Sequence, residues 1–186
     1  MTIRAKLYVA IVLTVIGPLV TIAVALQGQA ELGDRFDEVR ERARHEALAR
    51  ELKFGVTDVN GWQTAYGYDG GRSRPAFERS VTLFRRDLRE ARRRLTDPPE
   101  RELLAQLSDE FEGFMNLDVI AYRALRAGQD EVTKRILLGP ELVRFEAVAA
   151  TAEQLADYER RQAAATERAF DDERDDARRR LTAVAS

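Results

Sequence analysis

Apolar residues recur along most of the chain at alternating steps of four and three, the period of a helix that buries one face. Between residues 31 and 69 the stripe runs Leu32, Phe36, Val39, Ala43, then drifts through Ala47, Leu52, Val56, Val59, Trp62 and Tyr66, which predicts one long helix. Asp69-Gly70-Gly71 ends it, and Pro75 opens a second helix. That helix carries Phe77, Val81, Phe84, Leu88, Ala91 and Leu95 without a break and stops at Thr96. Asp97 is placed to cap a third helix and Pro98 to begin it, a pairing that supplies an acceptor and removes no needed donor. Leu104, Leu107, Phe111, Phe114, Ala121 and Leu125 mark the third helix, and Gly128 stops it. A short helical piece over residues 130–138 is broken by Gly139-Pro140, after which Leu142, Phe145, Val148, Ala152, Leu155, Ala163, Ala169, Leu181 and Val184 predict a last long helix. No strand pattern competes. Four amphipathic helices with short turns predict an all-α protein, an antiparallel up-and-down four-helix bundle. At 1.5 Å per residue the first and last helices outside the span described next are each about 60 Å long and the second only about 33 Å, so a narrower coiled-coil stalk is expected at the base.

Residues 7–26 contain no charge. Some 20 apolar or small residues match the roughly 30 Å of hydrocarbon that a transmembrane helix crosses. Gly17 and Pro18 interrupt the stretch, but both are tolerated in such helices. Arg4 and Lys6 precede it, which places the N-terminus in the cytoplasm. Ala23-Val24-Ala25 resembles a signal-peptidase site, yet an apolar core of about 20 residues exceeds the usual 7 to 15 of a cleaved signal, which favours an anchor. The expected layout is a cytoplasmic N-terminus at 1–6, a transmembrane helix at 7–26 continuing into an extracytoplasmic four-helix bundle at 27–178, and at 179–186 the approach to a second span that the chain does not contain. The expected location is the cell membrane, with a single span.

A third of the residues are charged and the net charge is −2. Acids and bases alternate closely, as in RFDEVRERARHE and DDERDDARRR, so no sustained basic stripe invites a nucleic acid. Paired acids such as Asp171-Asp172 and Asp175-Asp176 read as solvated helix face. The absence of cysteine excludes disulfides, thiolate metal sites and cysteine nucleophiles. His45, the only histidine, sits among charges and reads as a surface residue rather than a metal ligand, for want of a second imidazole. With no nucleophile-base pair, metal cluster or glycine-rich phosphate loop, the chain is expected not to be an enzyme and to carry no cofactor and no metal.

The segment DVNGWQTAYGYD, residues 58–69, departs from this Ala-, Leu-, Glu- and Arg-rich background. Val59, Trp62, Gln63 and Tyr66 fall on or beside the stripe, Asp58 and Asp69 flank it, and Asn60 lies in the same segment. On the third helix Asp118 stands where an apolar residue is expected, with Asn116 close by. Asp118 and Trp62 lie about 13 and 10 Å below the same end of the bundle, less than one helical turn apart. Asp58, Asn60, Trp62, Gln63, Tyr66, Asn116 and Asp118 are the candidate ligand-binding set. Aromatic faces beside a carboxylate suit a small cationic or hydrogen-bonding ligand. Three readings of the cluster remain open: an internal pocket, a self-satisfied polar core in which Gln63 bonds Asp118 and the acids pair with Arg72, Arg74 or Arg123, and a site at a dimer interface. Gly61 and Gly67 in the same segment allow a close helix approach or a local break, at a cost to the helix.

One N-terminal span, an external bundle with long first and last helices and a return toward the membrane resemble the input half of a bacterial methyl-accepting chemotaxis receptor. LKFGVTDVNGWQTAYGYDGG, FEGFMNLD and ILLGPELVRFE are similar to sensor regions of such receptors in actinobacteria. The resemblance implies a membrane-anchored, homodimeric sensor domain that takes a small-molecule ligand directly or from a carrier protein and passes a helix displacement through the membrane. Its output half would lie beyond Ser186. The alternatives are the input domain of a sensor histidine kinase or diguanylate cyclase, and a ligand-free membrane-anchored coiled-coil structural protein.

Overall fold

A computed structural model describes the backbone of residues 3–184 and the side chains of residues 33, 35–176 and 179. The described residues form five helices and no strand: α1 (Ile3–Tyr68), α2 (Arg74–Arg94), α3 (Pro98–Arg126), the two-turn α4 (Asp130–Leu137) and α5 (Pro140–Val184). Among the described residues no helix is long and apolar enough to cross a membrane. The uncharged stretch at 7–26, read as a span, and most of the stretch at 179–186 lie outside the described side chains.

The chain divides into two compact units, Met1–Glu41 with Thr166–Ser186, and Arg42–Ala165. In the first, α1 and α5 meet through an edge-on contact of Phe36 with Phe170 and an Arg35 to Glu173 bond of 3.1 Å. The second unit holds the core.

The helix boundaries follow from local chemistry. Gly70 and Gly71 take φ of 69° and 93°, a left-handed region that only glycine enters cheaply, and turn the chain out of α1. At the start of α3, Glu100 Oε2 accepts the Asp97 N–H at 2.7 Å, the return half of a capping box. Pro98 follows at the first helical position, where its missing N–H removes nothing.

Each long helix of the second unit contributes one heptad-spaced stripe to a common core. On α2 it is Phe77, Val81, Phe84, Leu88, Ala91 and Leu95, and on α3 Leu104, Leu107, Phe111 and Phe114, all buried. Phe84 and Phe111 rings meet at 4.4 Å. On α1 the buried residues are Ala49, Leu52, Val56, Val59, Gln63 and Tyr66, so the stripe passes one side of the predicted Ala47 and Trp62, which are exposed. A Cβ on Gly55 would stand 3.0 Å from the Phe84 ring, which shows how closely α1 approaches α2. By contrast Gly61 faces open space and Gly67 faces only the Leu137 side chain, so neither packs against a long helix of the bundle.

Pairings between helices fix their directions. Gln63 on α1 and Arg74 on α2 both bond Asp118 on α3, while Gln63 also bonds Glu141 on α5. Farther along, His45 of α1 lies beside Glu100 of α3 and Glu159 of α5. Rising residue numbers therefore run the same way in α1 and α3 and the opposite way in α5. The second unit is an all-helical bundle, as the pattern predicts.

Candidate functional site

The stripes on α1, α3 and α5 each carry two polar side chains on the buried face, and those of α1 and α3 run on past the second to Tyr66 and to Ala121 and Ala124. His45 and Gln63, Glu100 and Asp118, and Glu141 and Glu159 are the three pairs, and within every pair the members are 18 residues apart. Eighteen residues make five turns of 3.6, so both members of a pair point to the same side of their helix, about 27 Å apart along it. The result is two buried polar layers with an apolar core between them. Ordinary core positions would carry Leu or Phe.

The Asp118 layer draws a side chain from each long helix. Asp118 is fully buried on α3 and accepts at Oδ1 from the Tyr66 hydroxyl, from Gln63 Nε2 at 3.4 Å and from Arg74 NH1 at 2.9 Å, and at Oδ2 from the same NH1 at 2.8 Å. Gln63 Nε2 also donates to Glu141 Oε1. Arg74 is further held by Glu78, at 3.1 Å from its Nε. Its guanidinium carbon sits 5.1, 4.6 and 4.3 Å from the ring centres of Tyr66, Phe77 and Tyr122. Tyr66 in turn meets Phe77 and Tyr122 edge-on. This is a cage of aromatic faces and a carboxylate around a cation.

Burial acts against the Arg74 charge, but Asp118, Glu78 and Tyr66 together outweigh it and raise its pKa. Burial, with Asp118 next to it, also pushes the Tyr66 hydroxyl up, so it remains a donor. Glu141 is 1 % exposed and its Oε2 has no hydrogen-bond partner. Burial first, and then the Asp118 charge, push its pKa up to about 8, against the opposing pull of Gln63 and Arg74. At neutral pH Glu141 is therefore largely protonated. Of the two buried carboxyl groups in the layer, Asp118 takes the Arg74 guanidinium and Glu141 is bonded only by Gln63.

Of the seven predicted site residues the structure brings Gln63, Tyr66 and Asp118 into one layer. Asp58 and Asn116 are exposed, Asn60 is partly buried, and Trp62 is 40 % exposed on the outer face of α1. The cation that an aromatic and carboxylate site was expected to attract is supplied by Arg74 of the chain itself. Glu141, the fourth helix's contribution, was not anticipated; its position four residues before Phe145 and seven before Val148 is the signal that places it on the α5 stripe. A surface groove between α1 and α5, lined by Arg50, Lys53, Phe54, Glu153 and Arg160 among others, touches none of these residues.

In the second layer Glu100 and Glu159 are fully buried and the His45 side chain is 12 % exposed. His45 Nδ1 stands 3.6 Å from Glu100 Oε1 and 3.9 Å from Glu159 Oε2. Arg42 donates to Asp97 Oδ2 at 3.3 Å and approaches Glu100 Oε1 at 3.6 Å. Burial, then the neighbouring Glu100, raise the Glu159 pKa. The reading of His45 as a surface residue is thus corrected. It lies four residues before Ala49 and seven before Leu52, on the buried stripe itself.

Fold and site together define an all-α helical bundle whose core is crossed by two layers of buried polar and charged side chains. No protein family, curated protein or solved structure matches the chain.

Proposed function

We propose that this chain is the extracytoplasmic ligand-sensing domain of a transmembrane chemotaxis receptor, a non-enzymatic module that works as a homodimer and is held by a span at residues 7–26. The observation that carries the reading is the Asp118 layer, in which Gln63, Arg74, Asp118 and Glu141 join all four long helices at one depth. Buried polar layers are high-stakes contacts, because a partner gained or lost changes the energy by kilocalories rather than tenths. A small polar or cationic ligand that engages Glu141 Oε2, or replaces the Arg74 guanidinium in its aromatic cage, alters the link between α1 and α5. The consequence is a relative helix shift on the order of 1 to 2 Å, the scale of packed-helix switching.

The test is a chimera of residues 1–186 with the second span and signalling half of a chemotaxis receptor. Kinase output is followed while small amines, amino acids and other polar organic compounds are supplied outside the cell. The reading expects at least one compound to change output in the parent chimera and not in its Asp118→Asn form. Output that responds to no compound, or responds equally in both forms, counts against it.

A second reading is favoured by Arg74, which already fills the cage: a membrane-anchored structural bundle whose polar layer fixes helix register and binds nothing. Register control is a well-attested use of buried polar groups. That reading expects the unresponsive chimera.

A further inference from the structure

We propose that His45, Glu100 and Glu159 form a binding site for one divalent transition-metal ion of the zinc or cobalt type, clamping α1, α3 and α5 at the end of the bundle opposite the Asp118 layer. The three donor atoms, His45 Nδ1, Glu100 Oε1 and a Glu159 oxygen, lie within 4.8 Å of one another. In a tetrahedral site with bonds of about 2.0 to 2.2 Å the ligand atoms stand roughly 3.4 Å apart. The spacings of 3.6 and 3.9 Å from the imidazole nitrogen to the two carboxylates need only a small contraction to reach that value.

A second observation points to a cationic ligand. Glu159 has no exposed surface, and neither of its carboxylate oxygens has a hydrogen-bond partner. Glu100 Oε1 is in the same condition and faces the same point. Two buried carboxylates cannot bond each other while both are ionised, since each is then an acceptor only. A dication satisfies both at once and balances their charge.

The surroundings orient the ligands. The Asp97 N–H holds Glu100 Oε2 at 2.7 Å, which leaves Oε1 turned toward His45. Arg42 is the neighbouring cation, 3.6 Å from Glu100 Oε1, but it is bonded to Asp97 Oδ2 at the rim and its side chain is 26 % exposed. It can keep that bond while an ion takes the inner oxygens. One imidazole with two carboxylates selects borderline metals; calcium and magnesium want all-oxygen shells and copper(I) wants sulfur. Three protein ligands leave a coordination position for water.

The experiment uses the full 186-residue chain in mild detergent, stripped with a chelator and titrated with cobalt(II) and, separately, zinc(II). Visible ligand-field absorption of cobalt, metal content after desalting and the thermal midpoint are read together, with circular dichroism confirming helicity. The expected result is one ion per chain and a midpoint rise on the order of 5 °C when free metal is about 100 times Kd. Binding should weaken about tenfold or more in both Glu159→Gln and His45→Ala, and persist in Glu112→Gln, an exposed acid paired with Arg85. No stoichiometric binding to the parent chain overturns the proposal, and so does binding unchanged in folded Glu159→Gln. Stabilisation by acid alone, with no metal response, also overturns it and leaves the two glutamates as a pair sharing a proton.

Discussion

Replacing Glu141 by Gln removes one ionisable group and little volume, and its effect on stability should depend on pH in a defined direction. In the folded chain Glu141 is pushed up to about 8, whereas the ordinary value of 4.5 applies when the chain is unfolded. Between those two values the folded state holds a proton that the unfolded state has released. A raised folded pKa contributes stability that is complete below about pH 4.5 and is lost as pH climbs through about 8. The steepest loss is about 1.4 kcal/mol per pH unit, so from pH 5 to pH 8 the contribution falls on the order of 3 to 4 kcal/mol. Glu159 moves in the same direction, so the total slope of the parent protein mixes several groups. The difference between parent and Glu141→Gln isolates one. Urea unfolding of the full chain can be followed by Trp62 emission at pH 5, 6.5 and 8, because the single tryptophan lies in the Arg42–Ala165 unit. Relative to the variant, the parent should gain stability steadily as pH falls. Parallel curves would refute the argument, and a parent that gains as pH rises would mean that Glu141 is ionised and paired with Arg74.

Other perturbations discriminate among the contacts. Arg74→Met strands the Asp118 carboxylate without its guanidinium and should cost about 3 to 5 kcal/mol in chemical denaturation at pH 7, with much of the loss recovered when Asp118→Leu is added. Tyr66→Phe removes a hydroxyl that donates to Asp118 and should cost about 1 to 3 kcal/mol, whereas Trp62→Phe, on a surface 40 % exposed, should cost under about 1 kcal/mol. Leu107→Ala opens a cavity at a fully buried position of α3 and should lower stability by about 2 to 5 kcal/mol with no dependence on pH between 5 and 8.

Much of the bundle is visible in the residue pattern. The α2 stripe is apolar throughout, and the boundaries at Asp69-Gly70-Gly71, Asp97-Pro98, Gly128 and Gly139-Pro140 carry their own turn and cap chemistry, so the helices from α2 onward start and stop within a residue or two of their expected ends. Asp118 was legible because an acid in the middle of Phe111, Phe114 and Ala121 breaks an otherwise apolar run. On α1 the stripe was harder to follow. Its true members include His45, Ala49 and Gln63, which look polar or weakly apolar, while the exposed Trp62 looks like core. The buried glutamates were hidden for a different reason: a glutamate at a core position is the same letter as one at the surface. Only its spacing from Leu104, Phe145 or Leu155 betrays Glu100, Glu141 or Glu159, and those residues stand at the ends of their stripes, where a pattern is least constrained. Which carboxylate Arg74 would choose was open until the packing of α2 against α1 and α3 set its side chain over three rings.

A polar layer around Asp118 that answers to a ligand is tested most directly by ligand-dependent stability. Thermal denaturation of the full chain, followed by Trp62 emission one residue from Gln63, can be run against a panel of small amines, amino acids and polar organic compounds. The account predicts that at least one compound raises the midpoint by several degrees and shifts Trp62 emission with saturation, and that both effects vanish in Asp118→Asn. A panel without any such compound, or a saturating response that Asp118→Asn leaves intact, would contradict it.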